Sequence, residues 1–291
     1  MSDLRAAPPR FFVAIIHLLT STRLLLCSLS IPILINVCMS RTTNTEAIVL
    51  RNDPLNGSDA RLSFFTSSHG KIEAIAKGLQ KATSKLAAHL DPITKVELFF
   101  IEGRRRRLVG GSIVENRFPV IRADLQRLFA AGLVVRLADK MAPYENTDEV
   151  AFRLVESALF ILDSKKCPTE LVSVTPYFFA WKLLMVSGYH PQLTQCLSCN
   201  KPIVHGTVVL VPRQGGVLHR GCRQQNTNDA VVLLQTAALK GLAYMIDAPL
   251  TDVIRLRAAN SVFLNIRSAI EQLMEERFDI SRGNHFWRTA L

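Results

Sequence analysis

The period of the hydrophobic pattern changes once along this chain, near residue 120, and this change sets the order of its modules. From residue 45 to residue 115, apolar and polar residues alternate in short runs, which is typical of β-strands. From Ile121 onward, apolar residues recur every three or four positions, which is typical of amphipathic helices. The sequence therefore predicts an α+β multidomain protein in which a β module precedes an α-helical module.

Five segments of the β module have the length and composition of strands, and turns rich in Asn, Gly, Ser and Asp separate the first of them. They span residues 46–51, 60–66, 71–77, 94–101 and 108–115. Residues 79–92 are predicted to form a short helix or an ordered loop. Five short strands in about 70 residues favour a five-stranded Greek-key barrel of the oligonucleotide/oligosaccharide-binding (OB) type, which we place at residues 41–118.

The α-helical module is placed at residues 119–291, where proline residues fall in the gaps between periodic segments. Helices are predicted at residues 122–141, 147–163, 169–187, 229–246 and 261–277. A short cysteine-containing insertion at residues 196–222 interrupts them. The fold expected is therefore a barrel followed by a helical domain that carries a small inserted knuckle.

Residues 1–40 form an apolar leader that differs from the rest of the chain. Arg23 falls near the middle of this stretch, where a charge costs roughly 2.5–3.5 kcal/mol on membrane insertion scales. The uninterrupted apolar part, residues 24–35, is shorter than the roughly 20 residues of a spanning helix. We therefore expect Met39 to be the true start; a membrane-associated helix and a cleaved signal peptide are the alternatives.

The insertion contains a cysteine and histidine pattern with metal-ligand spacing, Cys196-x2-Cys199-x19-His219-x2-Cys222. Two close pairs separated by about 20 residues are typical of a zinc ribbon. Thiolate and imidazole ligands suit tetrahedral Zn²⁺, and one Zn²⁺ per chain is predicted. His205 is an alternative fourth ligand, and a reduced, metal-free hairpin is the alternative to a metal site.

The residues between the two pairs are predicted to form a hairpin from strands at 208–211 and 216–218, with Gly215 and Gly216 at its turn. Four ligands would close the coordination shell of the ion. No Asp or Glu occurs between Cys196 and Cys222. Because a catalytic zinc needs an open position and a nearby acid or base, we interpret the site as structural.

The chain is strongly basic, with 35 Lys and Arg against 24 Asp and Glu. A surplus of +11 suggests a polyanionic partner, either nucleic acid or an acidic membrane surface. Residues 41–107 hold 12 of the cations and seven acids. Two clusters stand out as candidate phosphate contacts, although such runs are more often solvated loops: Lys77, Lys81 and Lys85, and Arg104, Arg105, Arg106 and Arg107.

Phe64 and Phe65 are adjacent in the second predicted strand and therefore point to opposite faces of the sheet. Two buried contacts are expected, with a base-stacking platform as the alternative.

The sequence contains none of the common motifs of nucleotide-binding enzymes, metalloproteases or serine hydrolases. The nearest cluster of acids, Asp139 with Glu145, Asp148 and Glu149, flanks a predicted helix boundary, where acids act as caps. We therefore predict that the chain is not an enzyme.

Several motifs together resemble the RecO family of recombination mediator proteins. They are EAIVLR at 46–51, D-x-R-L at 59–62, FTSSHGKI at 65–72, AKG at 76–78 and LLMVSGYHPQLTQCLSC at 183–199. The resemblance covers roughly residues 45–280. It implies an OB domain and a helical domain, many members carrying a zinc site that usually has four cysteines, a pattern from which His219 departs.

The resemblance also implies a function and partners. RecO proteins act in bacterial DNA repair and recombination by binding single- and double-stranded DNA and annealing complementary strands, in the cytoplasm with the nucleoid. Together with RecR, they load RecA recombinase onto DNA that is coated by single-strand-binding protein. The C-terminal tail of single-strand-binding protein is a further partner of RecO. The DNA-contacting set would be Arg51, Arg61, Lys71, Lys77, Lys81 and Lys85. The alternatives are a zinc-ribbon protein acting on RNA or in transcription and a membrane-anchored interaction protein.

Overall fold

The computed structural model describes residues 42–103, 106–142, 144–204, 206–223 and 229–278, together with residue 280. The apolar leader predicted at residues 1–40 lies outside these ranges and stays a prediction. Within them, we find no helix with both the length and the apolar character that crossing a membrane requires.

The predicted five-stranded barrel is confirmed. Its strands are β1 (Thr42–Pro54), β2 (Ala60–Thr66), β3 (Gly70–Ala76), β4 (Lys95–Glu102) and β5 (Arg107–Asn116). They close in the order β1-β2-β3-β5-β4, and a short parallel contact of β3 with β5 completes the ring. Between β3 and β4 the chain forms an ordered loop with one 3₁₀ turn at Ala87–His89. Five strands in this Greek-key order are the OB-type architecture.

Strand alternation sends the two adjacent phenylalanines to different cores. Phe64 lies inside the barrel with Leu62 and Phe100, and all three are fully buried. Phe65 points outward and packs edge-on against Phe152 of the helical module, with the ring centroids 6.0 Å apart. The expectation of two buried contacts is confirmed, because the outer face of β1 and β2 is covered by helices.

The helical module contains seven α-helices in the described residues. They are α1 (Pro119–Arg122), α2 (Leu125–Met141), α3 (Glu149–Asp163), α4 (Thr169–Val172), α5 (Thr175–Val186), α6 (Thr236–Asp247) and α7 (Asn260–Phe278). Helix α5 is apolar over most of its surface and lies at the centre, since Phe178, Phe179 and Trp181 are fully buried. The Trp181 indole N–H donates to the carbonyl of Leu242 in α6 over 3.2 Å, which satisfies its one polar atom.

One predicted helix begins later than predicted, and another is divided. The helix predicted at 122–141 begins at Leu125, after Asp124, an extended residue whose carboxylate accepts hydrogen bonds from the N–H groups of Gln126 and Arg127. This N-cap starts α2 afresh after the single turn of α1. The helix predicted at 169–187 is divided into α4 and α5, and Pro176 lies in the first turn of α5.

The predicted hairpin is confirmed and belongs to a larger sheet. Strands β7 (Val208–Val211) and β8 (Gly216–His219) pair antiparallel, and Gly215 has the positive φ of 74° that the turn requires. Strands β6 (Gln192–Cys196) and β9 (Val232–Leu234) extend it to four strands in the order β6-β8-β7-β9. The helix predicted at 229–246 is therefore wrong in its first part, since β9 precedes α6.

An ion-pair cluster also joins the barrel to the helices. The ammonium group of Lys95 in β4 lies 2.8 Å from Glu156 of α3, 2.9 Å from Glu115 of β5 and 3.5 Å from Glu46 of β1. Burial lowers the pKa of Lys95, but the bonds to Glu156 and Glu115 outweigh it and raise that pKa above its ordinary value. Lys95 therefore stays charged and holds α3 against the barrel.

Candidate metal centre and nucleic-acid interface

Four metal-type side chains meet at one end of the small sheet. Cys196 ends β6, Cys199 lies in the turn that follows, His219 ends β8, and Cys222 closes a 3₁₀ turn at Arg220–Cys222. Their ligand atoms all lie within 4.8 Å of one another. The parallel pairing of β6 with β8 brings the two close pairs together although 19 residues separate them in sequence.

The distances within this group match a tetrahedral ion. The Nδ1 atom of His219 lies 3.4 Å from the Cys199 sulfur and 4.0 Å from the Cys222 sulfur. Zinc bonds of about 2.3 Å to sulfur and about 2.0–2.1 Å to nitrogen would separate two such ligands by roughly 3.6 Å. The His219 backbone N–H donates to the buried Cys196 sulfur over 3.4 Å. Three cysteines and one histidine therefore fit a closed metal site that contains no carboxylate.

The thiols of the group differ in how readily they ionise. Burial by itself raises the pKa of Cys196, but backbone N–H groups of Cys199, His219 and Ser198 donate to its sulfur and lower that pKa to about 6. The Cys199 thiol, followed by burial, raises the pKa of Cys222 to about 11. Because metal-bound thiols are deprotonated, a cation would meet Cys196 in the form that binds it more readily than Cys222, which would have to release a proton. His205, the alternative fourth ligand, lies outside the described residues.

Four of the predicted DNA-contacting residues are exposed, one in β2 and three in the loop that follows β3. These barrel cations are Arg61, Lys77, Lys81 and Lys85. Arg61 and Lys77 are brought close because Ala60 pairs with Ala76 across the two strands. Within the described part of the chain, none of the four side chains has an acidic partner within 4.0 Å. Their charges are therefore available to an anionic ligand.

The loop that carries the three lysines is held against the β1–β2 turn. The Gly78 N–H donates to the Asp59 carboxylate over 2.8 Å, and the Gln80 N–H donates to the Ser58 carbonyl over 2.8 Å. Gly78 has a positive φ of 65°, which favours glycine at this bend. The loop is thus fixed in position while its ammonium groups face solvent.

Lys71 departs from the predicted set of DNA contacts. Its side chain is buried between the barrel and α2, where the ammonium lies 2.9 Å from the Asp139 carboxylate and also donates to the Asp139 carbonyl. The Tyr144 ring covers it, with its centroid 4.4 Å away. A buried, paired ammonium cannot reach a phosphate, so we correct this prediction and assign Lys71 to the junction between the modules.

Two predicted arginines are exposed or half-buried but already carry acidic partners. Arg51 lies 3.0 Å from Asp53, 3.2 Å from Glu73 and 3.4 Å from Asp139. Arg107 lies 2.8 Å from Glu145 and 3.2 Å from Glu102. Asp139 and Glu145 come from the helical module, so the sequence of the barrel alone does not reveal this part of the neutralisation. Arg104 and Arg105 lie outside the described residues, and Arg106 is exposed beside them.

The helical module has an open apolar groove that sequence reasoning did not locate. It encloses about 590 Å³ between α2, α4, α5 and α7. Its walls include Leu125, Phe129, Leu133, Pro176, Tyr177 and Arg267. Leu125 is 72 % exposed, and the Arg267 guanidinium lies over the Tyr177 ring and 2.8 Å from Glu271. The groove thus combines apolar walls with the Arg267–Glu271 ion pair at its edge and Glu170 in its lining.

Comparisons with known proteins agree with this architecture. The family model described as recombination protein O N terminal matches residues 39–113, and the model described as recombination protein O C terminal matches residues 122–283. The protein named DNA repair protein RecO from Dehalococcoides mccartyi is 29 % identical over 226 residues, covering 78 % of this chain and 87 % of the relative.

A protein of the same name from Cutibacterium acnes is 32 % identical over 194 residues, covering 64 % of this chain and 76 % of the relative. Another from Desulfitobacterium hafniense is 28 % identical over 239 residues, covering 82 % and 86 %. The second family model alone spans more than half of the chain, and the two models match the barrel and the helical module in the observed order. The chain belongs to the RecO family.

Proposed function

We propose that this protein acts in DNA repair and recombination by binding single- and double-stranded DNA and bringing complementary strands together, without catalysing a covalent reaction. The barrel cations carry this proposal, because they are exposed, lack acidic partners among the described residues and lie on an OB-type barrel. The names of the relatives support the setting in DNA repair.

The proposed activity follows from electrostatics. Lysine and arginine side chains that neutralise phosphates release condensed counterions, so the affinity is independent of base sequence and falls steeply with salt. Two strands bound near one positive surface repel each other less and reach a higher local concentration, which speeds annealing. The protein only has to hold flexible strands, and no acid, base or nucleophile is required.

The metal group has a supporting part in this proposal. We infer that Cys196, Cys199, His219 and Cys222 bind one Zn²⁺ per chain, which ties the end of β6 to the end of β8. The donor set of three sulfurs and one nitrogen and the closed shell both favour a structural ion. The ion would maintain the fold of the knuckle and would take no part in chemistry.

The family resemblance extends the proposal to protein partners in the bacterial cytoplasm. RecR and single-strand-binding protein would be direct partners, and RecA would be an indirect partner. The apolar groove lined by α2 supports the partnership with single-strand-binding protein, since its exposed Leu125 and its apolar walls suit the apolar residues of an extended segment. We place the C-terminal tail of single-strand-binding protein there.

The first test concerns the three lysines of the barrel loop. Replacing Lys77, Lys81 and Lys85 together by alanine is expected to weaken single-stranded DNA binding similarly for all sequences. The slope of log affinity against log salt should become shallower by about 2, since each single-strand phosphate contact contributes about 0.7. Fluorescence anisotropy with labelled DNA across a salt series measures this, and an annealing assay on the same samples should slow in parallel.

The control for this test removes three exposed lysines from the helical module, Lys165, Lys166 and Lys240, which lowers the net charge equally. An equal loss in both triple variants would mean that only total charge matters and that the barrel is not the site. Tighter binding of the unmodified chain to single-stranded RNA than to DNA would favour the RNA-binding alternative.

The second test concerns the apolar groove. Changing Leu125 to Glu is expected to weaken binding of a labelled tail peptide of single-strand-binding protein at least tenfold, because a buried leucine contributes roughly 1.5–3 kcal/mol. Val150 is 65 % exposed near the start of α3, away from the groove lining, so Val150→Glu is the matched control. Equal peptide affinity for both variants would place the tail elsewhere.

A further inference from the structure

The knuckle, residues 196–222, differs in charge from the rest of the molecule. The segment from 196 to 223 contains Lys201, Arg213, Arg220 and Arg223 and no Asp or Glu. A Zn²⁺ held by three thiolates and a neutral imidazole has a net charge of −1, so the metal group does not account for the positive character. The side chains on the surface of the knuckle supply it.

Three of these residues, which we call the knuckle cations, flank the metal ligands. Lys201 follows the Cys199 turn, Arg220 follows His219, and Arg223 follows Cys222. All three are exposed, and none has an acidic partner within 4.0 Å among the residues that the structure describes. The ligand atoms lie within 4.8 Å of one another, so the turns bearing these cations are neighbours. The result is a positive surface around the metal end of the sheet.

Several cations elsewhere in the helical module, and Lys95 where the barrel meets it, have acidic partners. Arg153 lies 3.0 Å from Glu156, Arg267 lies 2.8 Å from Glu271, and Lys95 lies between three glutamates. Their charges stabilise internal contacts and are largely neutralised. The knuckle cations resemble the barrel cations in lacking such partners. Uncompensated positive charge of this kind is available to a polyanion.

The surroundings of the knuckle cations favour phosphate over bases as the contacted group. No Phe, Tyr or Trp occurs between residues 190 and 223, so the surface offers no platform for base stacking. Gly221 stands between Arg220 and Cys222, and a Cβ atom there would meet nothing within 4 Å. The backbone is therefore open to a close approach. A small pocket next to Cys222 is lined by Ser198, Gln214 and Arg223 together with four apolar side chains.

We propose that the knuckle is a second DNA-binding surface, which holds the phosphate backbone of a strand through Lys201, Arg220 and Arg223. The proposal deepens the proposed function and rests on it, since two separate positive surfaces on one chain can each hold one of the strands to be annealed. The barrel cations form the first surface and the knuckle cations the second. Contacts of this type are independent of sequence and sensitive to salt.

The test changes Lys201, Arg220 and Arg223 together to alanine in the full chain. The slope of log affinity against log salt for single-stranded DNA should become shallower by about 2, and the annealing rate should fall at every salt concentration. The control is again the triple alanine variant at Lys165, Lys166 and Lys240. The zinc content and thermal midpoint of each variant are measured on the same samples, so that loss of the fold is recognised.

Two further measurements do not depend on the alanine variant being folded. The charge-preserving variant, Arg220→Lys with Arg223→Lys, should bind and anneal like the unmodified chain. In the unmodified chain, DNA should protect Lys201 from acetylation by a small reagent, and a salt concentration that dissociates DNA should remove the protection.

The outcomes separate this proposal from the broader one. If the barrel lysine variant loses DNA affinity while the knuckle variant keeps its slope and annealing rate, and Lys201 is not protected, the second surface is disproved and the proposed function stands. A knuckle that binds only an acidic protein would give this same result. If the unmodified chain binds no DNA at any salt concentration, the proposed function fails, and this inference fails with it.

Discussion

Replacing Asp139 by alanine is expected to destabilise the protein by about 3–5 kcal/mol, because it leaves a buried ammonium without its counter-charge. The Asp139 carboxylate lies 2.9 Å from the Lys71 ammonium, whose side chain is only 6 % exposed. The same carboxylate accepts a hydrogen bond of 2.8 Å from the Ser63 hydroxyl of β2. Urea denaturation followed by tryptophan fluorescence measures the loss as a shift of the unfolding midpoint.

The size of this effect depends on the burial of the Lys71–Asp139 pair, and two control variants test this dependence. Glu145→Ala removes a 64 % exposed partner of Arg107 and should cost less than about 1 kcal/mol, as exposed ion pairs do. Replacing Lys71 by Met together with Asp139→Leu should recover most of the stability, because a buried pair exchanged for apolar side chains is often neutral. If Asp139→Ala is no more harmful than Glu145→Ala, the pair contributes little and the modules are held by apolar packing alone.

The second large effect is expected at the metal group. Cys196→Ala should reduce the zinc content of the purified, reduced protein from about one ion per chain to near zero and lower the thermal midpoint. Structural zinc sites contribute apparent binding free energies of about 10–16 kcal/mol at neutral pH, and part of this is folding free energy. Metal analysis and differential scanning calorimetry on the same sample measure the two quantities.

Cys167 provides the matched control for that experiment, since it is a buried cysteine outside the metal group. Cys167→Ala should keep its zinc, and so should His219→Cys, which exchanges one competent ligand for another. Full zinc content in Cys196→Ala would show that the ion is held by other residues. An unmodified protein that contains no zinc when freshly purified would contradict the metal assignment itself.

Sequence pattern predicted the barrel and the hairpin well because both depend on local alternation. Strands β6 and β9 were not predicted, since they have five and three residues and exist only through pairing with β8 and β7. The start of α2 after Asp124 was likewise missed, although an aspartate before an apolar helical run is a known N-cap signal. Short strands and caps depend on neighbours that periodicity does not identify.

For the candidate sites too, the sequence predicted groups that are close in sequence and missed contacts between residues that are far apart in sequence. The metal ligands were found because each pair is close in sequence and its spacing reflects one turn. Lys71 was misassigned because its partner Asp139 lies 68 residues further along the chain. The sequence gives the positions of the cations, but only the fold shows which of them have acidic partners. Arg51 and Arg107 illustrate this, since carboxylates of the helical module face both.

The outward face of β1 and β2 has a consequence for how the chain can be divided. Ile48, Leu50 and Phe65 belong to the same apolar cluster as the residues of the central helix α5, whereas the interior of the barrel is a separate cluster. A chain cut between residues 113 and 122, where the two family models meet, would leave an apolar wall on the barrel and a matching gap in the helices. We therefore expect the barrel and the helical module to unfold together, and neither half to fold on its own unless the apolar wall is given a new partner.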